Sequence, residues 1–117
     1  QRIYYPFDPN FKQYDLAKKQ MIDGGTIISF ELKNTEKNKK QLAFNFLNNL
    51  ELIDISNNLG DTKSLITHPD TTTHHRLSEK EKISLRITKN LVRLSVGLED
   101  VNDLVDDIKS SLIKIYK

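Results

Sequence analysis

The spacing of apolar and polar residues divides the chain into alternating helical and extended segments. Apolar side chains recur every three or four positions over 38–50 and over 101–115, which is the period of an amphipathic helix. Apolar and polar side chains alternate over 26–32 and 91–96, which indicates strands. The whole pattern predicts, in chain order, a helix over 15–21, a strand over 26–32, a helix over 38–50, strands over 52–55 and 64–67, a helix from 78 to about 86, a strand over 91–96 and a helix from 101.

Local signals at the segment ends agree with this division. The Asp-Gly-Gly at 23–25 ends the first helix, because glycine accepts the left-handed conformation of a C-terminal cap. Ser78 and Glu81 have the spacing of a capping box. The strand over 91–96 has one apolar face and places Arg93 on the other. The order of elements predicts an α+β fold, a small antiparallel or mixed sheet with helices packed on one face.

Composition limits the classes of protein to consider. The length of 117 residues predicts a single domain over 1–117, in which 1–14 form an extended arm. Lys and Arg number 18 against 16 Asp and Glu, and this net charge of +2 does not favour nucleic-acid binding. The absence of cysteine excludes disulfides and cysteine nucleophiles. No apolar run approaches the roughly 18 residues of a membrane span, so we expect a cytoplasmic protein with no membrane partner.

Three histidines within eight residues raise the question of a metal site. Metal ligands must converge, whereas the adjacent His74 and His75 diverge in an extended segment, and His68 lies six residues before His74. We therefore expect loop histidines that cap or hydrogen-bond backbone groups, and no metal. The stretch 57–61 is interpreted as a turn, because a phosphate cradle needs more glycines and a helix start with Lys, Ser or Thr.

Arg93 is the side chain whose sequence context most clearly suggests a role in ligand binding. It lies between Val92 and Leu94, so its guanidinium is on the face opposite those apolar residues. It either forms a salt bridge on the exposed face of the sheet or provides a planar fork for a ligand carboxylate, with Ser95 beside it. The spacing leaves both alternatives open. The sequence contains no nucleophile–base motif, which predicts a binding surface without a complete catalytic site.

Two long motifs resemble the end of a known enzyme family. The first is Asn-Leu-Gly-Asp-Thr-Lys-Ser-Leu-Ile-Thr-His-Pro-Asp-Thr-Thr-Thr-His at 58–74, and the second is Leu-Val-Arg-Leu-Ser-Val-Gly-Leu-Glu-Asp at 91–100. Shorter matches precede them in the same order at 4–6, 13–21, 24–25 and 29–32. Together they resemble the C-terminal part of the Cys/Met metabolism family of pyridoxal-phosphate enzymes, which includes cystathionine γ-synthase, methionine γ-lyase and the homoserine sulfhydrylases.

The resemblance implies the C-terminal third of a longer fold-type I enzyme. The large domain, which these residues lack, binds pyridoxal 5′-phosphate and donates the Schiff-base lysine in that family. By position, Arg93 matches the arginine that grips the α-carboxylate of the amino-acid substrate. Asn58 and Leu59 match the loop that closes over this carboxylate, and Thr73 matches a threonine that lines the pocket. The resemblance assigns no catalytic and no cofactor-binding residue to this chain, which alone is expected to be inactive.

Within the family, the motif at 58–74 is most similar to O-succinylhomoserine sulfhydrylases and next to O-acetylhomoserine sulfhydrylases. Such enzymes of trans-sulfuration and methionine biosynthesis expel succinate or acetate from an O-acylhomoserine and add sulfide to give homocysteine. The implied partners are this substrate, the large domain and further copies in a homo-oligomer. Two alternatives stay open: a non-catalytic remnant that acts through protein–protein association, and an unrelated small binding module.

Departures from the family pattern lead to structural expectations. Asp70 replaces the usual alanine after His-Pro and adds a negative charge near a pocket meant for carboxylates. Arg86 replaces a glycine ahead of the arginine strand, and it is strained if that position has a positive φ. The apolar surface left by the missing domain is expected in the arm, at Tyr4, Tyr5, Phe7 and Phe11.

Overall fold

Five strands form one sheet in the computed structural model, which describes residues 2–33 and 38–117. The strands are β1 (Arg2–Tyr4), β2 (Ile27–Glu31), β3 (Asp54–Ile55), β4 (Leu65–Thr67) and β5 (Leu91–Ser95). The helices are α1 (Tyr14–Gln20), α2 (Lys39–Asn48), α3 (Glu79–Ser84) and α4 (Val101–Ile115), with a 3-10 turn at Pro69–Thr71. The strand order is β1-β2-β5-β4-β3, and only the β3–β4 pair is parallel. The structure therefore confirms an α+β fold with a mixed sheet.

The register of the central strands sorts their side chains into two faces. Ile28, Leu94 and Ile66 lie side by side across β2, β5 and β4 on the face covered by helices. Arg93 lies between Ser29 and Thr67 on the opposite face. Side chains alternate along a strand, so the apolar pattern of β5 also determines which face carries the arginine.

Helices α2 and α4 pack on the apolar face and close the core. Phe46 of α2 is fully buried, and its ring meets Phe30 of β2 edge-on at a centroid distance of 5.9 Å. The buried Ser111 of α4 donates a hydrogen bond of 2.6 Å to the carbonyl of Phe46. Burying a large apolar side chain contributes about 1.5–3 kcal/mol, so this face dominates the stability of the domain. No helix among the described residues is long and apolar enough to cross a membrane.

The arm contains a strand that the sequence pattern did not predict. Arg2–Tyr4 pairs with β2 at the edge of the sheet, and the Tyr4 hydroxyl donates to the carboxylate of Glu31 at 3.1 Å. A three-residue strand gives too short an alternation to recognise in sequence. The aromatic residues of the arm are half-buried, contrary to the expectation of an exposed aromatic surface. The most exposed large apolar side chains are elsewhere, at Ile22, Leu98 and Ile83.

The predicted strand over 52–55 is wrong in its first half. The structure has a strand only at Asp54–Ile55. The main-chain N–H groups of Glu51, Leu52 and Ile53 bind the carboxylate of Asp107 on α4. These donors are therefore bound to a side chain and not to a neighbouring strand, although the apolar pair Leu52–Ile53 favours a strand locally.

Helix α3 begins at the predicted capping box, and the turn that ends it holds Arg86 in a strained backbone conformation. Ser78 and Glu81 form the predicted capping box. At the other end, the N–H of Arg86 donates to Ile83 and that of Ile87 donates to Lys82, the bonding pattern of a Schellman cap. Arg86 has a φ of +58°, the only positive φ of a non-glycine residue among those described. The position occupied by glycine in the family pattern is therefore a left-handed one, and Arg86 is strained there.

Replacing Arg86 by glycine is expected to stabilise the chain by about 0.5–1 kcal/mol, because relief of the left-handed strain exceeds the extra entropy of glycine in the unfolded state. The urea midpoint of the 117-residue chain measures this gain. Leu85→Gly is the matched control: Leu85 precedes Arg86, is also exposed and has an ordinary φ of −88°. A loss of stability in both variants would contradict the assignment of strain to Arg86.

Candidate functional site

Arg93 projects from the middle of β5 onto the polar face of the sheet. Its side chain is half-buried, and Nη2 donates a hydrogen bond of 2.9 Å to the main-chain carbonyl of Asn57. The ion pairs found in ranges 2–33 and 38–117 do not involve Arg93. Of the two alternatives for Arg93, the salt bridge on the face of the sheet is therefore not formed with any described residue. The guanidinium has five N–H donors, so it retains donors for an external acceptor.

The loop at 57–60 lies against the same face of the sheet. The N–H of Gly60 donates to Ser95 Oγ at 2.9 Å, and Ser95 is buried beside Arg93 in β5. Gly60 has a φ of +74°, a conformation that favours glycine at this turn. Asn58 and Leu59 are exposed between the contacts at Asn57 and Gly60. The loop is therefore held at both ends with its two central side chains free to approach a ligand.

The segment between this loop and β4 is hydrogen-bonded to the residues that follow β5. The carboxylate of Glu99 accepts the N–H of Ser64 at 2.9 and 3.0 Å, and the Ser64 hydroxyl accepts the N–H of Gly97 at 2.8 Å. Burial opposes the charge on Glu99, but hydrogen bonds from Ser64 and from the main chain of Glu99, together with the charge of Lys63, outweigh it and lower the pKa of the carboxyl below its usual range. A Cβ on Gly97 would collide with the Thr62 carbonyl and the Ser64 nitrogen, so glycine is required there.

Thr73 lies in the segment that approaches Arg93 from the β4 side. The Thr67 hydroxyl is 2.9 Å from that of Thr72, which donates to the His68 carbonyl at 2.8 Å. Thr73 is exposed, with its hydroxyl 2.7 Å from His74 Nδ1. The structure brings the segments of all four predicted site residues to the Arg93 face. Among the described residues, hydrogen bonds join Arg93 to Asn57 and not to Asn58, Leu59 or Thr73.

Two of the three histidines hydrogen-bond backbone carbonyls, as expected. His68 is buried, and its Nε2 is 2.9 Å from the Lys89 carbonyl, which can only accept. Nε2 therefore carries a proton, and Nδ1 lies 2.8 Å from the Thr71 hydroxyl. His75 Nδ1 is 2.7 Å from the Thr72 carbonyl. Within the described residues, no three His, Cys, Asp or Glu side chains are grouped to hold a metal ion.

The buried lysine of the described residues is not free to form a Schiff base with pyridoxal phosphate. A Schiff-base lysine needs an unpaired amine, and Lys82 is the one buried lysine in the part of the chain described. Its Nζ lies 2.9 Å from Asp70 Oδ1 and donates to the Asp70 carbonyl at 3.1 Å. The negative charge of Asp70, expected near the carboxylate pocket, is therefore paired inside the fold. Sequence reasoning missed this pair.

A wide groove lies at the opposite edge of the sheet. It measures about 1040 Å³ and runs between β1 and α3, lined in part by Tyr4, Phe11, Ile83 and Lys89. Arg93 does not line it. The candidate carboxylate site is therefore separate from this groove, on the face of the sheet bordered by the loop at 57–60.

Comparison with known proteins places the chain in a family. Residues 1–113 match the family model of the Cys/Met metabolism PLP-dependent enzymes. O-succinylhomoserine sulfhydrylase from Mycobacterium tuberculosis is 50% identical over 110 residues, which are 94% of this chain and 27% of that protein. L-methionine gamma-lyase from Fusobacterium nucleatum is 45% identical over 98% of this chain and 28% of that protein. The chain thus spans little more than a quarter of the length of these relatives.

Solved structures share the fold. The crystal structure of cystathionine gamma-lyase from Lactobacillus plantarum complexed with L-serine has a TM-score of 0.88 and 35% identity, over 98% of this chain and 29% of that one. That of a putative O-acetylhomoserine (thiol)-lyase from Campylobacter jejuni, which contains N′-pyridoxyl-lysine-5′-monophosphate, has a TM-score of 0.88 and 36% identity, over 97% of this chain and 26% of that one. From the family match and these similarities, we conclude that the chain belongs to the Cys/Met metabolism PLP-dependent enzymes.

Proposed function

We propose that this chain binds the α-carboxylate of an amino-acid substrate, as the C-terminal domain of an enzyme that makes homocysteine from O-succinylhomoserine or O-acetylhomoserine. The observation that carries the proposal is the state of Arg93: it is half-buried on the polar face, has one Nη2 contact to the Asn57 carbonyl, and forms no ion pair with a described residue. The 50% identity to an O-succinylhomoserine sulfhydrylase favours the succinyl substrate.

The chemistry of the guanidinium suits this role. Arginine offers paired, coplanar N–H donors that match the two oxygens of a carboxylate, and such charged hydrogen bonds are about twice as strong as neutral ones. The contact with Asn57 restricts the rotation of the side chain and leaves other donors available. Asn58 and Leu59, at the exposed tip of the adjacent loop, would close over the bound carboxylate, and Thr73 would border it.

The cofactor would belong to a part of the enzyme outside these residues. Pyridoxal phosphate, where bound, supplies the electron sink for the bond changes, while the protein orients the substrate. Lys82 is engaged by Asp70, so we assign the Schiff-base lysine and the cofactor-binding domain to residues that this chain does not contain. The contribution of these 117 residues is then to hold and orient the substrate through Arg93.

Arg93 variants test the proposal in the gene product that carries these residues. Arg93→Ala is expected to raise KM for O-succinylhomoserine about 100-fold or more, because the charged fork is lost, and Arg93→Lys about tenfold, because one donor direction is retained. Steady-state homocysteine formation from sulfide measures both. Arg76→Ala removes an equally charged but exposed side chain and should leave KM unchanged. Equal KM values for Arg93→Ala and the unmodified protein would contradict the proposal.

A non-catalytic remnant of the family is the second candidate. The intact mass of the native gene product separates the two candidates. A product about three to four times the mass of this chain indicates that these residues are part of a larger enzyme, in which the kinetic assays should then be made. A product of this size, with no turnover when supplied with pyridoxal phosphate, indicates a remnant whose partners should then be sought.

A further inference from the structure

We propose that Thr67 is a positioning residue for the candidate carboxylate site, acting through Asn57 on Arg93. This inference rests on the proposed function, since it concerns how the arginine is held for its ligand. Thr67 lies directly opposite Arg93 in the β4–β5 pairing, so both side chains are on the polar face. It is 1% exposed, as is Ser95 on the same face, which means that its hydrogen bonds are shielded from water.

The first link runs from Thr67 to the arginine. The Thr67 hydroxyl donates to Asn57 Oδ1 at 2.8 Å. The main-chain carbonyl of the same Asn57 accepts from Arg93 Nη2 at 2.9 Å. The asparagine therefore contacts Thr67 through its side chain and Arg93 through its backbone. Holding the side chain of Asn57 fixes where its carbonyl lies, and that carbonyl determines the direction of one edge of the guanidinium.

The second link runs from Thr67 to the opposite border of the site. Its hydroxyl oxygen lies 2.9 Å from that of Thr72, whose proton goes to the His68 carbonyl. Thr73 follows directly, and Asn58 and Leu59 follow Asn57 in the same way. Each threonine hydroxyl has one proton, and these protons go to Asn57 and to His68, so the Thr67 and Thr72 oxygens are in contact without sharing a hydrogen bond. Thr67, on the strand next to the one that carries the arginine, thus contacts both the loop expected to close and the segment expected to border the ligand.

The substitutions that test this role are Thr67→Val, which removes the hydroxyl at nearly constant volume, and Asn57→Ala, which keeps the main-chain carbonyl. Each is expected to raise KM for O-succinylhomoserine about three- to tenfold with kcat within about twofold, because one buried hydrogen bond that orients Arg93 is lost. Thr67→Ser retains the hydroxyl and should restore the original KM. Thr62→Val makes the same change at an exposed threonine between the loop at 57–60 and β4 and should have no effect.

The double variant Asn57→Ala/Thr67→Val tests whether the two residues act in one chain of contacts. We expect its KM to equal that of either single variant, since each removes the same link. A KM that multiplies the two single effects overturns the proposed route through Asn57. Asn57 is exposed, so its variant keeps the test available even if Thr67→Val fails to fold.

The Arg93 variants separate a failure of this inference from a failure of the proposed function. A raised KM in Arg93→Ala together with unchanged KM in both Thr67→Val and Asn57→Ala overturns the positioning role alone. An unchanged KM in Arg93→Ala overturns the carboxylate site and the positioning role with it. A KM defect in Thr67→Val that Thr67→Ser does not restore assigns the effect to packing and also overturns the positioning role.

Discussion

Lys82→Met is expected to lower the free energy of unfolding by about 3–5 kcal/mol. The substitution leaves the carboxylate of Asp70 buried without its cation, and it also removes the donor to the Asp70 main-chain carbonyl. The side chains of both partners are about nine-tenths buried, so water cannot replace the lost ammonium. An uncompensated buried charge is among the most destabilising changes that one substitution can make.

Urea unfolding of the 117-residue chain, followed by circular dichroism, measures this loss. Lys80→Met makes the same change on an exposed position of α3 and should shift the free energy by less than about 0.5 kcal/mol. The double variant Asp70→Leu/Lys82→Met replaces both charges by apolar groups and should recover most of the loss. A single Lys82→Met variant as stable as the Lys80→Met control would show that the pair contributes nothing.

Asp107→Ala is expected to cost a similar amount, about 3–5 kcal/mol. The carboxylate of Asp107 accepts main-chain N–H groups from Glu51 at 2.7 Å, from Leu52 at 3.1 Å and from Ile53 at 2.9 Å. Alanine leaves these donors without their acceptor in a place that is partly closed to water, and each unmade bond costs about 1–3 kcal/mol. Because the contacts tie α4 to the chain ahead of β3, their loss should also free that segment.

Hydrogen exchange locates this effect, and urea unfolding gives its size. The amides of residues 51–53 should exchange faster in Asp107→Ala, while those of the central strand β5 should follow only the global stability. Asp106→Ala removes an exposed carboxylate one residue earlier on the same helix and should change neither measurement. Unchanged protection of residues 51–53 in Asp107→Ala would contradict the role assigned to its carboxylate.

The Asp70–Lys82 ion pair and the hydrogen bonds to Asp107 both hold segments that lead to the candidate site, although neither lies in the site itself. The Asp70–Lys82 pair attaches helix α3 to the 3-10 turn that leads to Thr73. The Asp107 contacts precede β3, the strand that leads into the loop with Asn58 and Leu59. Residue Asp70, a departure from the family pattern, therefore has a structural partner and need not oppose a carboxylate ligand.

The sequence by itself determined the elements whose pattern is local and long enough to have a period. Helices α2 and α4 and strands β2 and β5 follow from periodic apolar positions, and the alternation in β5 placed Arg93 on the polar face. The capping box at Ser78 also follows from residue types at a single turn, whereas the strain at Arg86 was expected from the glycine that the family pattern has at this position. The family resemblance, which the comparisons confirm, came from the motifs at 58–74 and 91–100.

Tertiary structure alone decided the features that depend on a partner distant in the chain. Leu52 and Ile53 have strand propensity, but Asp107, more than fifty residues away, binds their N–H groups. Lys82 and Asp70 are ordinary polar residues until folding buries them together, and Thr67 meets Asn57 and Arg93 only once the sheet has formed. The period of the hydrophobic residues indicates which face of a helix or strand is buried. The partners in hydrogen bonds and ion pairs depend instead on distances between residues that become close only when the chain folds.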